Sequence, residues 1–105
     1  GASGDQASET IRATVTVSDS RNNASVCARP GSRLILTVRT SKPLDVTIPE
    51  FGRTATITPY APELFDLVMP EEAGRYDIEA LQTGRAIATI VNDDNCERPR
   101  GTGSN

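Results

Sequence analysis

The chain has 105 residues, 36% hydrophobic and 24% charged, with no histidine, no tryptophan and two cysteines. That length supports one small domain with one core, and the missing imidazole removes Ser-His-Asp and Cys-His catalysis, imidazole zinc sites and the usual general base near neutral pH. A net charge of -3 supplies no overall positive field for nucleic acid or anionic lipid, and Phe51, Tyr60, Phe65 and Tyr76 are too few for base-stacking or sugar-binding platforms.

In chain order, residues 1–10 (GASGDQASET) are small and polar without periodicity, which predicts a flexible leader. Such a leader is of the type that separates a cleaved signal or a lipid-bearing cysteine from a mature domain. From residue 11 onwards the apolar positions alternate with period two. Ile11, Ala13, Val15 and Val17 face one side while Arg12, Thr14, Thr16 and Ser18 face the other, a half-buried strand. The polar run from Asp19 to Ser25 reads as a turn. After Pro30-Gly31, Leu34, Leu36 and Val38 form a second strand, and Leu44, Val46 and Ile48 form a third that ends at Pro49.

Alternation then resumes around Ala55 and Ile57, again at Phe65, Leu67 and Met69, and again at Tyr76, Ile78 and Ala80. Residues 71–74 read as a tight turn in which Gly74 takes a positive φ. The segment from Arg85 to Val91 is apolar at both parities, the pattern of a strand covered on both faces. Residues 97–105 read as a second flexible tail, so the expected domain runs from 11 to 96. About seven short strands without a helical period predict an all-β sandwich or barrel. No stretch approaches the roughly 20 apolar residues that span a bilayer.

Cys27 and Cys96 stand 69 positions apart, a spacing that fits no short metal motif. A disulfide is the expectation, with two unrelated buried thiols as the alternative. The bond would imply an oxidising, extracytoplasmic compartment.

Residues 29–38 (RPGSRLILTV), 45–52 (DVTIPEFG) and 62–80 (PELFDLVMPEEAGRYDIEA), in that order, resemble the segments pGxxVxLxV, HxFxIPxxG and FxxxxxGxYxxxC of the cupredoxins. These are the Greek-key β-sandwiches of small blue copper proteins and of the copper domain in cytochrome oxidase subunit II. The likeness spans about Ile11 to Val91. A blue copper site takes two imidazoles, a thiolate and commonly a weak axial methionine. The resemblance places Asp45 where the first histidine would stand, Ala80 where the cysteine would stand, and the Gly84-Arg85 turn where the remaining ligands would follow. Met69, the only methionine, falls outside those positions and reads as core packing. The resemblance therefore implies the fold without copper or any other cofactor. It also puts Asp45 and Arg85 at one end of the sandwich, either paired as charges or separately solvated.

Other clusters carry weaker signals. Residues 92–95 (NDDN) offer oxygen ligands for calcium, or simply a solvated turn. Asn23-Ala24-Ser25 is a glycosylation sequon, relevant only in a eukaryotic secretory host. Glu63, Asp66, Glu71 and Glu72 read as solvated charges, and Ser41 beside Lys42 is not a dyad because neighbours in an extended chain point apart. The functional expectation is a non-enzymatic, exported cupredoxin-like domain that acts as a structural or protein-binding module of the cell envelope. Its partner would be an unidentified protein, with no nucleic acid and no direct membrane insertion; a lipid anchor upstream is compatible. An immunoglobulin-like or fibronectin-like adhesion module and an accessory domain of a copper or oxidase system are the alternatives.

Overall fold

Alternating β-branched and polar residues favour extended chain because each strand then turns one apolar edge inward and one polar edge outward. The computed structural model, which describes residues 9–17 and 24–96, follows this pattern closely. Its strands are β1 (Thr10–Val17), β2 (Ala24–Ala28), β3 (Arg33–Thr40), β4 (Leu44–Ile48), β5 (Arg53–Ile57), β6 (Glu63–Val68), β7 (Gly74–Ala80) and β8 (Ala86–Asn92), with one 3-10 turn at Pro49–Phe51. A three-stranded sheet in the order β1-β3-β6 packs on a five-stranded sheet in the order β2-β8-β7-β4-β5. The β1/β3 and β2/β8 pairs are parallel; the other pairs are antiparallel. This order differs from the ABED and CFG sheets of an immunoglobulin domain.

The core lies between the sheets. Val15, Leu34, Leu36, Val38, Phe65 and Leu67 of the smaller sheet meet Val26, Val46, Ile48, Ile57, Ile78 and Ile90 of the larger one. All are buried, in keeping with the period-two reading. Met69, one residue past β6, is buried in the same cluster.

Three local expectations need correction. There are eight strands, since part of the expected turn is the start of β2. In ASVCA only Val26 is a large aliphatic, so the alternation is faint; pairing with β8 and the Cys27–Cys96 bond hold this strand. The last strand, β8, is not covered on both faces: Ala88, Ile90 and Asn92 are buried while Ile87, Thr89 and Val91 are half-buried. Its second face is the outer face of the sheet. Finally, positive φ occurs at Gly31, Gly52 and Gly84 and not at Gly74. Gly74 begins β7, where a Cβ would lie 3.2 Å from the Tyr76 hydroxyl, so space and not backbone hand is its constraint.

Thr10 belongs to β1 and not to a leader. The rest of the expected leader apart from Glu9, Asn23 of the sequon, and the 97–105 tail lie outside the described residues.

Candidate functional site

The antiparallel register carries Leu44 of β4 to Ile57 of β5, and brings the ends of β7 and the start of β8 to the same edge of the sandwich. Backbone hydrogen bonds draw the three singled-out positions together there. The Leu81 N–H donates to the Asp45 carbonyl at 2.9 Å, and the Ala80 N–H donates to the Arg85 carbonyl at 2.9 Å. Between them the Gly84 N–H returns to the Ala80 carbonyl at 2.7 Å, with Gly84 at φ 74 so that the chain can reverse in a few residues. The Arg85 N–H also donates to the Thr83 hydroxyl at 3.2 Å.

What these positions present is chemically poor in ligands. Ala80 is buried and offers a methyl group. Arg85 is exposed and offers a guanidinium, which repels a cation. Asp45 accepts a 2.6 Å hydrogen bond from the Thr56 hydroxyl, its cross-strand partner on β5. The Asp45–Arg85 charge pair does not form. Arg33–Asp66 is the one ion pair between described residues; Asp45 is bonded to Thr56 of β5, whereas Arg85 follows β7 on the other side of β4.

Copper in the cupredoxin manner requires imidazole nitrogen and thiolate sulfur. Neither residue type is available here. The chain has no histidine, and both cysteines are consumed in the Cys27–Cys96 disulfide, with Cα atoms 5.5 Å apart. The residues at this end do not fit the metal. Among the described residues, no group of three or more His, Cys, Asp or Glu side chains could hold a metal ion.

The disulfide sits at the opposite end, where Ala28 of β2 pairs with Asn92 of β8. β8 runs the length between the two ends, roughly 20 Å for seven residues at about 3.3 Å each. Asp93 organises the turn after it: its N–H donates to the Ala28 carbonyl at 3.1 Å, its carboxylate accepts from the Asn95 N–H at 2.9 Å, and its carbonyl accepts from the Cys96 N–H at 3.0 Å. The NDDN oxygens are therefore partly spent on shaping a turn. Asp66, grouped in the sequence with solvated acids, instead forms a two-pronged bond with Arg33 at 2.9 and 2.6 Å. Asn92 had no separate signal. It is 1% exposed, and its amide donates to the carbonyls of Pro70 at 2.9 Å and Glu72 at 3.0 Å, clamping the loop before β7. Its place at the inward parity after Ala88 and Ile90 is the clue that could have separated it from the turn.

No protein-family profile matches the chain, and no curated protein sequence matches it. Solved structures do. One is a chain of a heme-copper terminal oxidase dimer solved by cryo-EM, with a TM-score of 0.58 and 10% identity, covering 79% of this chain. This chain spans 65% of that neighbour's length. Another is the apo form of a copper binding protein solved by NMR, with a TM-score of 0.54 and 13% identity, over 76% of this chain and 86% of the other. At such identities the likeness speaks for fold alone. Strand order, register and these neighbours agree that the chain is a β-sandwich of cupredoxin-like fold, and the ligand set that holds copper in such folds is missing from it.

Proposed function

We propose that the chain is a non-catalytic, exported cupredoxin-like domain that binds no copper and works as a structural or protein-binding module of the cell envelope. The observation that carries this reading is the content of the converged end. Asp45, Ala80 and Arg85 meet through backbone hydrogen bonds, yet they supply a carboxylate held by a threonine, a methyl group and a cation. An end assembled like a metal site but furnished in this way has no redox or Lewis-acid chemistry to offer. The disulfide supports an oxidising compartment.

The test is titration of the oxidised protein with Cu(II), and with Cu(I) under anaerobic conditions, followed by calorimetry and visible absorption. No saturable binding, no thiolate-to-copper absorption band and an unchanged melting temperature are expected. A saturable one-to-one isotherm with a raised melting temperature overturns the proposal.

A second reading, an accessory domain beside a copper or oxidase system, draws on the heme-copper oxidase neighbour. Stable co-purification of the tagged chain with an oxidase complex from its native membrane would select it over a free-standing envelope module.

A further inference from the structure

The outer faces of the two sheets carry opposite charge. On the three-stranded sheet, Arg12 of β1 and Arg33 and Arg39 of β3 point outward and are exposed. A fourth guanidinium, that of Arg53, comes from β5 to the β6 edge of this sheet and donates to the Asp66 carbonyl at 3.2 Å. Asp66 is the only acid among these outward positions and is already taken by Arg33. Arg12 and Arg39 make no ion pair or side-chain hydrogen bond among the described residues. Beside them stand two exposed aliphatics of β6, Leu64 at 56% and Val68 at 67%.

The outer face of the five-stranded sheet is the reverse. Asp45, Asp77 and Glu79 point outward there, opposed by Arg75 alone among the strand residues. Half-buried Ile87 and Val91 of β8 lie among them, Val91 directly across from Arg75. A chain whose total charge is -3 thus keeps a basic, apolar-studded face on one side and an acidic one on the other.

We propose that copies of this chain associate face to face, the basic outer face of the three-stranded sheet in one copy seating on the acidic outer face of the five-stranded sheet in the next. Charge complementarity selects a second copy as the occupant, because every molecule presents both halves of the match on opposite sides. A contact between unlike surfaces leaves one of each free at the ends, so the assembly lengthens with concentration instead of stopping at two. β6 does not extend its sheet into a neighbour by edge pairing, since the Arg53 side chain already occupies an outward carbonyl of that strand. The sheet faces, not the edges, make the contact.

Sedimentation velocity of the full chain tests this at about 20 mM and about 500 mM NaCl, where the screening length falls from roughly 20 Å to roughly 4 Å. The weight-average mass is expected to rise with protein concentration at low salt, and the association constant to fall at least tenfold at high salt. Two double variants separate the faces: Arg12→Gln with Arg39→Gln neutralises the basic one, and Asp77→Asn with Glu79→Gln neutralises the acidic one. Circular dichroism checks that both remain folded. Each alone is expected to be monomeric, and an equimolar mixture to form a one-to-one complex that grows no further, since each contributes the face the other lacks. A wild-type chain that stays monomeric at low salt at every concentration overturns the proposal. So does a dimer indifferent to the Asp77 and Glu79 changes, which would place the contact elsewhere. Monomeric protein that sediments with vesicles of phosphatidylglycerol and phosphatidylcholine, and loses that binding with the Arg12 and Arg39 changes, assigns the basic face to an anionic membrane and overturns it as well.

Discussion

Asn92 is the most deeply buried polar side chain among the described residues, and both of its amide protons are committed to loop carbonyls. Replacing it with alanine strands the Pro70 and Glu72 carbonyls without a donor. A hydrogen bond of this kind contributes about 0.5–1.5 kcal/mol, so Asn92→Ala, which removes two, is expected to lower the unfolding free energy by about 1–3 kcal/mol in a denaturant titration. Asn92→Asp is expected to cost more at neutral pH, because a carboxylate cannot donate to those carbonyls and would be a buried charge. The Arg33–Asp66 pair acts differently because it is exposed. Hydrogen bonding from Arg33 holds the Asp66 carboxyl below its ordinary 3.8; desolvation opposes it, and the charges of Arg33 and Arg53 add smaller lowering contributions. The stabilisation from a carboxyl with a lowered folded value is complete above 3.8 and disappears as pH falls through that lower value. A carboxyl titration followed by NMR should place the Asp66 midpoint below 3.8, and Arg33→Gln should move it upward. An identical midpoint in the two proteins would remove the pair from any account of acid stability.

At the scale of elements, β2 is a short edge strand held by a covalent tie as well as by pairing. It has five residues, lies at a sheet edge and pairs only with β8. The Cys27–Cys96 bond ties it to the turn that follows that same strand. A bridge across 69 positions removes enough freedom from the unfolded chain to stabilise the fold by about 4 kcal/mol, an upper figure in the chain-entropy account. The paired change Cys27→Ser and Cys96→Ser is therefore expected to lower the melting temperature by many degrees, with amide exchange speeding first in β2. Alkylation of the native protein should add no mass, since neither cysteine is free. Seven of the eight strands were legible, six as alternation of apolar with polar residues (β5 among them, through Ala55 and Ile57 between threonines) and β8 as a continuous apolar run. β2 was not, because its inward residues are Ala24, Val26 and Ala28, and two methyl groups beside one valine give almost no contrast with Ser25 and Cys27. The Gly74 expectation failed for a related reason: a glycine at a turn implies a need, but only the fold shows whether that need is a positive φ or room for Tyr76.

Over the whole molecule, the identity of the site residues and their arrangement came from different sources. Composition alone excluded an imidazole-based copper centre or triad, since no folding can supply a histidine the chain lacks. The order of apolar runs and turns was enough for an all-β sandwich or barrel, because period two dictates strands and strands of this number must bury a shared face; the cupredoxin-like form came from the resemblance of residues 29–38, 45–52 and 62–80 to that family's segments. The ends of those strands were another matter. That Asp45 bonds Thr56 and not Arg85 depends on β4 lying between β5 and β7, with Asp45 directly across from Thr56 on β5. The opposite charges of the two outer faces likewise arise only when β1, β3 and β6 are gathered on one side and β7, β8 and β4 on the other. The linear chain thus determines which residues turn inward and which chemistries are absent, both being local or compositional properties. Only the tertiary structure decides which outward residues become neighbours, because pairing across strands joins positions that are tens of residues apart and one residue of register reverses every choice.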